Sequence, residues 1–212
     1  MMAIRVLITD DHPIVREGLR RILGANPDMA VVGEAANGIE ALRLVETCSP
    51  DVVLVDISMP GMSGIDLIQR LRAEHPHLPL LVLSMHKEEQ FAVRALKLGA
   101  AGYLTKDCAP EQLALAIHRV VAGGKFITSE VAEALANAII PTKMEMPHKL
   151  LSNREFQVFL MLASGKSINE IAHELCLSAN TVSTHKHRLM NKLGLDNNAG
   201  LVRYAVKHQL IE

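Results

Sequence analysis

Residues 51–61 read Asp51-Val52-Val53-Leu54-Val55-Asp56-Ile57-Ser58-Met59-Pro60-Gly61. Four apolar residues in a row end on a carboxylate, and a Pro-Gly pair follows. A strand without polar alternation is buried on both faces, as in a parallel sheet covered by helices. Leu80-Leu81-Val82-Leu83-Ser84 repeats the pattern. Working outward, strand candidates at 4–9, 30–36, 51–56, 80–84 and 101–104 alternate with stretches of helical period at 13–25, 38–48, 64–74, 87–98 and 110–122. Five βα units in that order predict an α/β domain with a five-stranded, doubly wound parallel sheet over residues 1–123. Gly24, Gly33, Gly38, Gly64 and Gly99 mostly punctuate element ends.

The strand ends carry the chemistry. Asp10 and Asp11 close the first strand, Asp56 the third, Ser84 the fourth, and Lys106 follows the fifth. Ligands of open parallel sheets collect beyond the carboxyl ends of the strands. Three carboxylates, a hydroxyl and an ammonium would therefore meet at one point. A hard divalent cation takes carboxylate oxygens there. The hydroxyl and ammonium suit phosphoryl oxygens, and a carboxylate can be the nucleophile that forms an acyl phosphate. That pattern assigns Asp56 as acceptor, Asp10 and Asp11 as metal ligands, and Ser84 and Lys106 as phosphoryl contacts.

The bulk numbers suit one large soluble domain or two small ones: 212 residues, 49% apolar and 21% charged. No apolar run approaches the roughly 18 residues of a membrane span, and the amino terminus lacks a signal-peptide core. Cys48, Cys108 and Cys176 are far apart and form no ligand pair, as expected of reduced thiols in a cytoplasmic protein. The net charge of −1 conceals an asymmetry. Residues 1–123 carry 12 Lys and Arg against 15 Asp and Glu, while residues 148–212 carry 8 against 5 and five histidines. A basic carboxyl-terminal piece points to a nucleic-acid partner.

Residues 124–147 read as a connector. A short helix opens at Thr128-Ser129-Glu130, and a tether bracketed by Pro141 and Pro147 follows it. Residues 148–212 show no strand. Ser152-Asn153-Arg154-Glu155 and Ser167-Ile168-Asn169-Glu170 are capping boxes. Helices are predicted from them to Ser164 and Cys176, then over 180–193 and 198–208. Two short helices joined by a tight break, the second polar and basic, form a helix-turn-helix. On a wheel of about 100° per residue, Val182, Leu189 and Leu193 form the core stripe, with Met190 beside it. Asn180, Ser183, Thr184, His187 and Asn191 lie opposite. Polar side chains in a major groove read base edges, and basic flanks hold phosphates. Candidate contacts to double-stranded DNA are Asn180, Thr181, Ser183, Thr184, Lys186, His187, Arg188 and Lys192. His185 reads as packed or capping within the domain.

The motifs Ile8-Thr9-Asp10-Asp11-His12, Val55-Asp56-Ile57-Ser58-Met59-Pro60-Gly61, Leu83-Ser84 and Gly99-Ala100-Ala101-Gly102-Tyr103-Leu104-Thr105-Lys106 resemble the receiver domain of two-component response regulators. The resemblance implies a flavodoxin-like fold and phosphotransfer from a sensor histidine kinase to Asp56. It implies Mg²⁺ bound by Asp11, Asp56 and the backbone carbonyl of Ser58, with Asp10 acting through water, and a switch in which Tyr103 follows Ser84. Many receivers carry a cis proline after the lysine. Asp107 stands there in this chain, which leaves the geometry of that bond open.

Leu151-Ser152-x-Arg154-Glu155, Ala163-x-Gly165-x-Ser167, Glu170-Ile171-Ala172, Leu175-x-Leu177-Ser178, Thr181-Val182-x-Thr184-His185 and Lys192-Leu193-Gly194-Leu195 resemble the LuxR-type helix-turn-helix. Together the halves resemble a NarL/FixJ-type response regulator, which implies a four-helix output domain that pairs as a homodimer through its last helix. Ser183 departs from the lysine frequent at that position. Such a regulator is not an enzyme beyond self-phosphorylation and slow self-dephosphorylation. Two other readings stand beside it. One is a small hydrolase with an Asp nucleophile, against which Ser58 replaces the second aspartate of those enzymes. The other is a DNA-binding or protein-interaction regulator with a vestigial, phosphorylation-independent receiver.

Overall fold

The computed structural model describes residues 3–85, 89–139, 146–208 and 210–211. His86 and most of the tether expected between Pro141 and Pro147 lie outside them. Two compact units divide the chain, Met1–Ile140 and Pro141–Glu212.

In the first unit, β1 (Ile4–Thr9), β2 (Met29–Ala35), β3 (Val52–Asp56), β4 (Leu80–Ser84) and β5 (Gly102–Thr105) each begin within a residue of the expected start. All pair in parallel, in the order β2-β1-β3-β4-β5. Every residue of β3 and β4 is buried, as their unbroken apolar sequence requires. The helices α1 (Pro13–Gly24), α2 (Gly38–Cys48), α3 (Gly64–Glu74), α4 (Glu89–Lys97) and α5 (Pro110–Val121) supply the cover. Val6, Ile8, Val52, Leu54, Leu81 and Leu83 form one face of the sheet, packed with Leu19 and Leu23 of α1 and Leu113, Ile117 and Val120 of α5. Each such side chain contributes roughly 1.5–3 kcal/mol of burial.

The strand order reverses between β1 and β3. Such a switch point leaves a crevice at the carboxyl ends of the two strands, which here are Asp10 and Asp56. Beyond α5, Phe126 bridges to Gly102, and its carbonyl accepts from Tyr103 N at 3.1 Å. This segment borders β5, and α6 (Ser129–Ile139) then packs on α4. The residues expected to form the connector helix therefore rest on the first unit. The second unit holds a 3₁₀ turn (Pro147–Leu150), α7 (Asn153–Ala163), α8 (Ile168–Glu174), α9 (Ala179–Leu193) and α10 (Asn198–Lys207). Both capping boxes form. Phe156, Phe159, Ile171, Val182, Leu189 and Leu201 make its core, with Phe159 edge-on to Tyr204.

Gly64 illustrates how tightly the site is built. A Cβ at that position would sit 1.9 Å from the backbone oxygen of Asp56. Only glycine lets the start of α3 come so close to the β3 carboxyl end. Gly64→Ala should cost about 3 kcal/mol or more, since ordinary overpacking already costs 1–3. Urea unfolding of wild type and variant measures this; equal midpoints would contradict the close approach.

Candidate functional site

Asp10, Asp56 and Ser84 are buried, with Asp10 1% and Asp56 2% exposed. The Lys106 ammonium lies 2.7 Å from Asp10 Oδ2 and 2.9 Å from Asp56 Oδ2. The backbone sets this approach, because Lys106 N donates to the Ser84 carbonyl at 2.8 Å, beside the β4/β5 pairing of Ser84 with Thr105. Arg16 donates to the Asp10 carbonyl at 2.7 Å and fixes the turn after β1. Asp10, Asp11, His12 and Asp56 each place one ligand atom within 4.8 Å of the others. Asp56 Oδ1 is buried without a well-formed hydrogen bond. A buried carboxylate oxygen with no donor is costly, and a bound divalent cation would satisfy it. The residues present therefore fit a metal ion.

Burial pushes the Asp56 carboxyl above the usual range; the Lys106 ammonium opposes this, and Asp10 adds to it. Burial also disfavours the Lys106 charge, but Asp56 and Asp10 outweigh it and raise its pKa. Tyr103 is buried on β5. Ser58 lies in the loop after β3, where its backbone interacts with the Asp56 carboxylate. No cis peptide bond occurs among the described residues, so the Lys106–Asp107 bond is trans. Asp107 is exposed, which turns its charge toward solvent.

In the second unit, Asn180, Ser183, Thr184, His187, Arg188 and Asn191 are exposed on α9, while Val182, Leu189, Met190 and Leu193 are buried. The wheel thus sorted the two faces. Local bonds occupy some of the polar groups. Ser178 caps the helix start by accepting from Thr181 N at 3.0 Å, and the two hydroxyls lie 2.8 Å apart. Thr184 donates back to the Asn180 carbonyl at 2.9 Å. His187 Nε2 lies 3.2 Å from Asn191 Nδ2. Lys186 is partly buried. His185 is partly buried with no hydrogen bond to Nδ1, and burial and the neighbouring Arg154 hold its pKa down.

Lys192, a candidate phosphate contact, is held within the domain in this structure. Its ammonium is 2.6 Å from Glu155 Oε2 and 3.3 Å from the Leu150 carbonyl. The same Glu155 oxygen accepts from Ser152 N at 2.7 Å. Burial would raise the Glu155 pKa, but the Lys192 and Ser152 hydrogen bonds outweigh it and hold the carboxyl below its usual range. Sequence reading missed this pair because the partners lie 37 residues apart.

Comparison with known proteins matches residues 6–118 to the response regulator receiver domain and residues 149–205 to the bacterial regulatory proteins of the luxR family. The response regulator UvrY of Escherichia coli K12 is 38% identical over 208 residues, covering 98% of this chain and 95% of that protein. Among solved structures, the RcsB response regulator of Salmonella typhimurium aligns with a TM-score of 0.70 at 30% identity, covering 98% of both chains. A structure of two RcsB dimers bound to two parallel DNAs aligns at 0.59 and 31% identity, over 96% of this chain and 98% of that one. No described helix is long and apolar enough to cross a membrane.

Two predictions follow from the geometry. A carboxyl with a raised pKa destabilises the fold as pH rises through that pKa. In metal-free buffer at neutral pH, Asp56→Asn removes this cost while Lys106 keeps Asp10. It should stabilise the first unit by roughly 1–2 kcal/mol, seen as a higher midpoint in thermal unfolding with EDTA; a lower midpoint would contradict it. Glu155, with its lowered pKa, contributes stability that is complete above the ordinary carboxylate range and is lost as pH falls through the lowered value. Lys192→Ala should cost about 1.5–3 kcal/mol and move acid unfolding to higher pH. It should leave the salt slope of DNA binding unchanged, whereas a true phosphate-contacting lysine lowers that slope by about one unit.

Proposed function

This chain belongs to the response regulators that join a receiver domain to a LuxR-type DNA-binding domain, and we propose that Asp56 is its phosphoryl acceptor and α9 its DNA-reading helix. It is a transcription regulator of a two-component system. The observation that carries the acceptor reading is the buried Asp56 carboxylate, with Oδ2 on Lys106 and Oδ1 lacking a well-formed hydrogen bond.

In the proposed step, an Asp56 oxygen attacks the phosphorus of a phosphohistidine on a sensor histidine kinase. The P–O bond forms as the P–N bond breaks, and the leaving imidazole takes up a proton. Lys106 and Ser84 receive the phosphoryl oxygens, which exchanges the Lys106–Asp56 ion pair for contacts to a dianion. Asp10, Asp11, Asp56 and the Ser58 carbonyl are the ligands we assign to Mg²⁺, which when bound neutralises charge between acceptor and phosphoryl group. Turnover is confined to this self-phosphorylation and slow hydrolysis of the acyl phosphate. Ser84 and Tyr103 are the switch residues, linking the site to the β4–β5 edge.

The output reading assigns residues 1–123 to the receiver, 124–147 to the connector and 148–212 to the DNA-binding domain. The protein acts in the cytoplasm as a homodimer on a two-fold DNA site. Val202 and Val206, exposed one turn apart on α10, supply an apolar strip for pairing. The RcsB dimers on DNA support both expectations by their likeness. Base reading rests on Asn180, Ser183, Thr184 and His187, and phosphate contact on Arg188 and Lys186.

Phosphate-affinity gels with acetyl phosphate test the acceptor: wild type should shift and Asp56→Asn should not. Uptake by that variant equal to wild type would overturn the assignment. Replacing His187 and Arg188 with alanine should weaken binding to duplexes selected from a random pool by roughly 10-fold or more, with uptake retained. Unchanged binding across a salt titration would remove α9 from the groove.

A further inference from the structure

We propose that His12 is an additional ligand at the metal site, so that a first-row transition cation such as Mn²⁺ binds there more tightly than the oxygen ligands alone would hold it. The proposal rests on the reading of Asp11 and Asp56 as metal ligands. Lys106 divides the carboxylate oxygens into two sets. On its side lie Asp10 Oδ2 and Asp56 Oδ2, at 2.7 and 2.9 Å. On the other side remain Asp56 Oδ1, buried without a well-formed hydrogen bond, and Asp11 Oδ1. His12 belongs to that second set. Its Nδ1 is 2.9 Å from Asp11 Oδ1 and 3.3 Å from Asp10 Oδ1. Neighbouring ligands of an octahedral ion with bonds of about 2.1 Å are about 3.0 Å apart, so the Asp11–His12 spacing already suits a shared ion.

The backbone holds the imidazole there. His12 N donates to Asp10 Oδ1 at 2.9 Å, and Pro13 starts α1 directly after it. A residue in this position ordinarily caps the helix, but the His12 side chain makes no capping bond. Its ring faces the carboxylates instead, with 61% of the side chain exposed at the mouth of the site. Oxygen-only sites suit Mg²⁺, whereas an added imidazole favours transition cations.

The test uses the full-length protein, with Mn²⁺ and Mg²⁺ titrated separately into wild type, His12→Asn and Asp11→Asn at one fixed pH. Asparagine caps a helix start well, so His12→Asn keeps the fold, and thermal unfolding checks it. Mn²⁺ affinity should fall on the order of tenfold in His12→Asn, and Mg²⁺ affinity by about twofold at most. Pulsed EPR of the Mn²⁺ complex should show a ¹⁴N coupling in wild type that the variant lacks. Absence of that coupling in wild type, or equal loss of both metals in His12→Asn, would overturn the role of His12. Binding of both metals to Asp11→Asn as tight as to wild type would instead overturn the metal reading of the whole site.

Discussion

Three carboxylates crowd the point where β1 and β3 part, and one ammonium answers them. Burial makes that arrangement expensive, because Asp10 and Asp56 are nearly without solvent and two carboxylates share one ammonium. The rest of the first unit is arranged to hold it. The all-apolar strands anchor the two aspartates on a rigid sheet. Gly64 admits α3 against the Asp56 carbonyl. The β4/β5 register delivers Lys106. A buried site with this excess of carboxylates stands to gain from a bound cation.

A second carboxylate organises the DNA-binding unit. Glu155 caps the start of α7 and binds Lys192 near the end of α9. One buried oxygen thereby ties the entry of the domain to the helix that carries the exposed polar row. The exposed polar side chains of α9 stand on a helix held by this pair and by the aliphatic stripe beneath it.

Much of this was legible along the chain. Val52–Val55 and Leu80–Leu83 could be nothing but doubly covered strands, since water on either face would cost several side chains of burial. Capping boxes at Ser152 and Ser167 marked helix starts because the reciprocal bonds are local. The Lys192–Glu155 pair was hidden for the opposite reason. A wheel shows direction but not a partner 37 residues away. Asp107 was equally opaque, because whether its charge meets Lys106 or solvent depends on how the loop leaves β5. His12 follows Asp10 and Asp11 directly in the chain, but only the turn after β1 brings its ring onto their carboxylates.

The sequence by itself determined the βα order, the faces of the helices and the residue types gathered at the strand ends, because periodicity, caps and apolar runs act over a few residues. Tertiary structure alone decided which oxygen of Asp56 meets Lys106, that Lys192 pairs with Glu155, and why position 64 must lack a Cβ. Those facts are distances between segments far apart in the chain, and they exist only once the sheet and helices have packed.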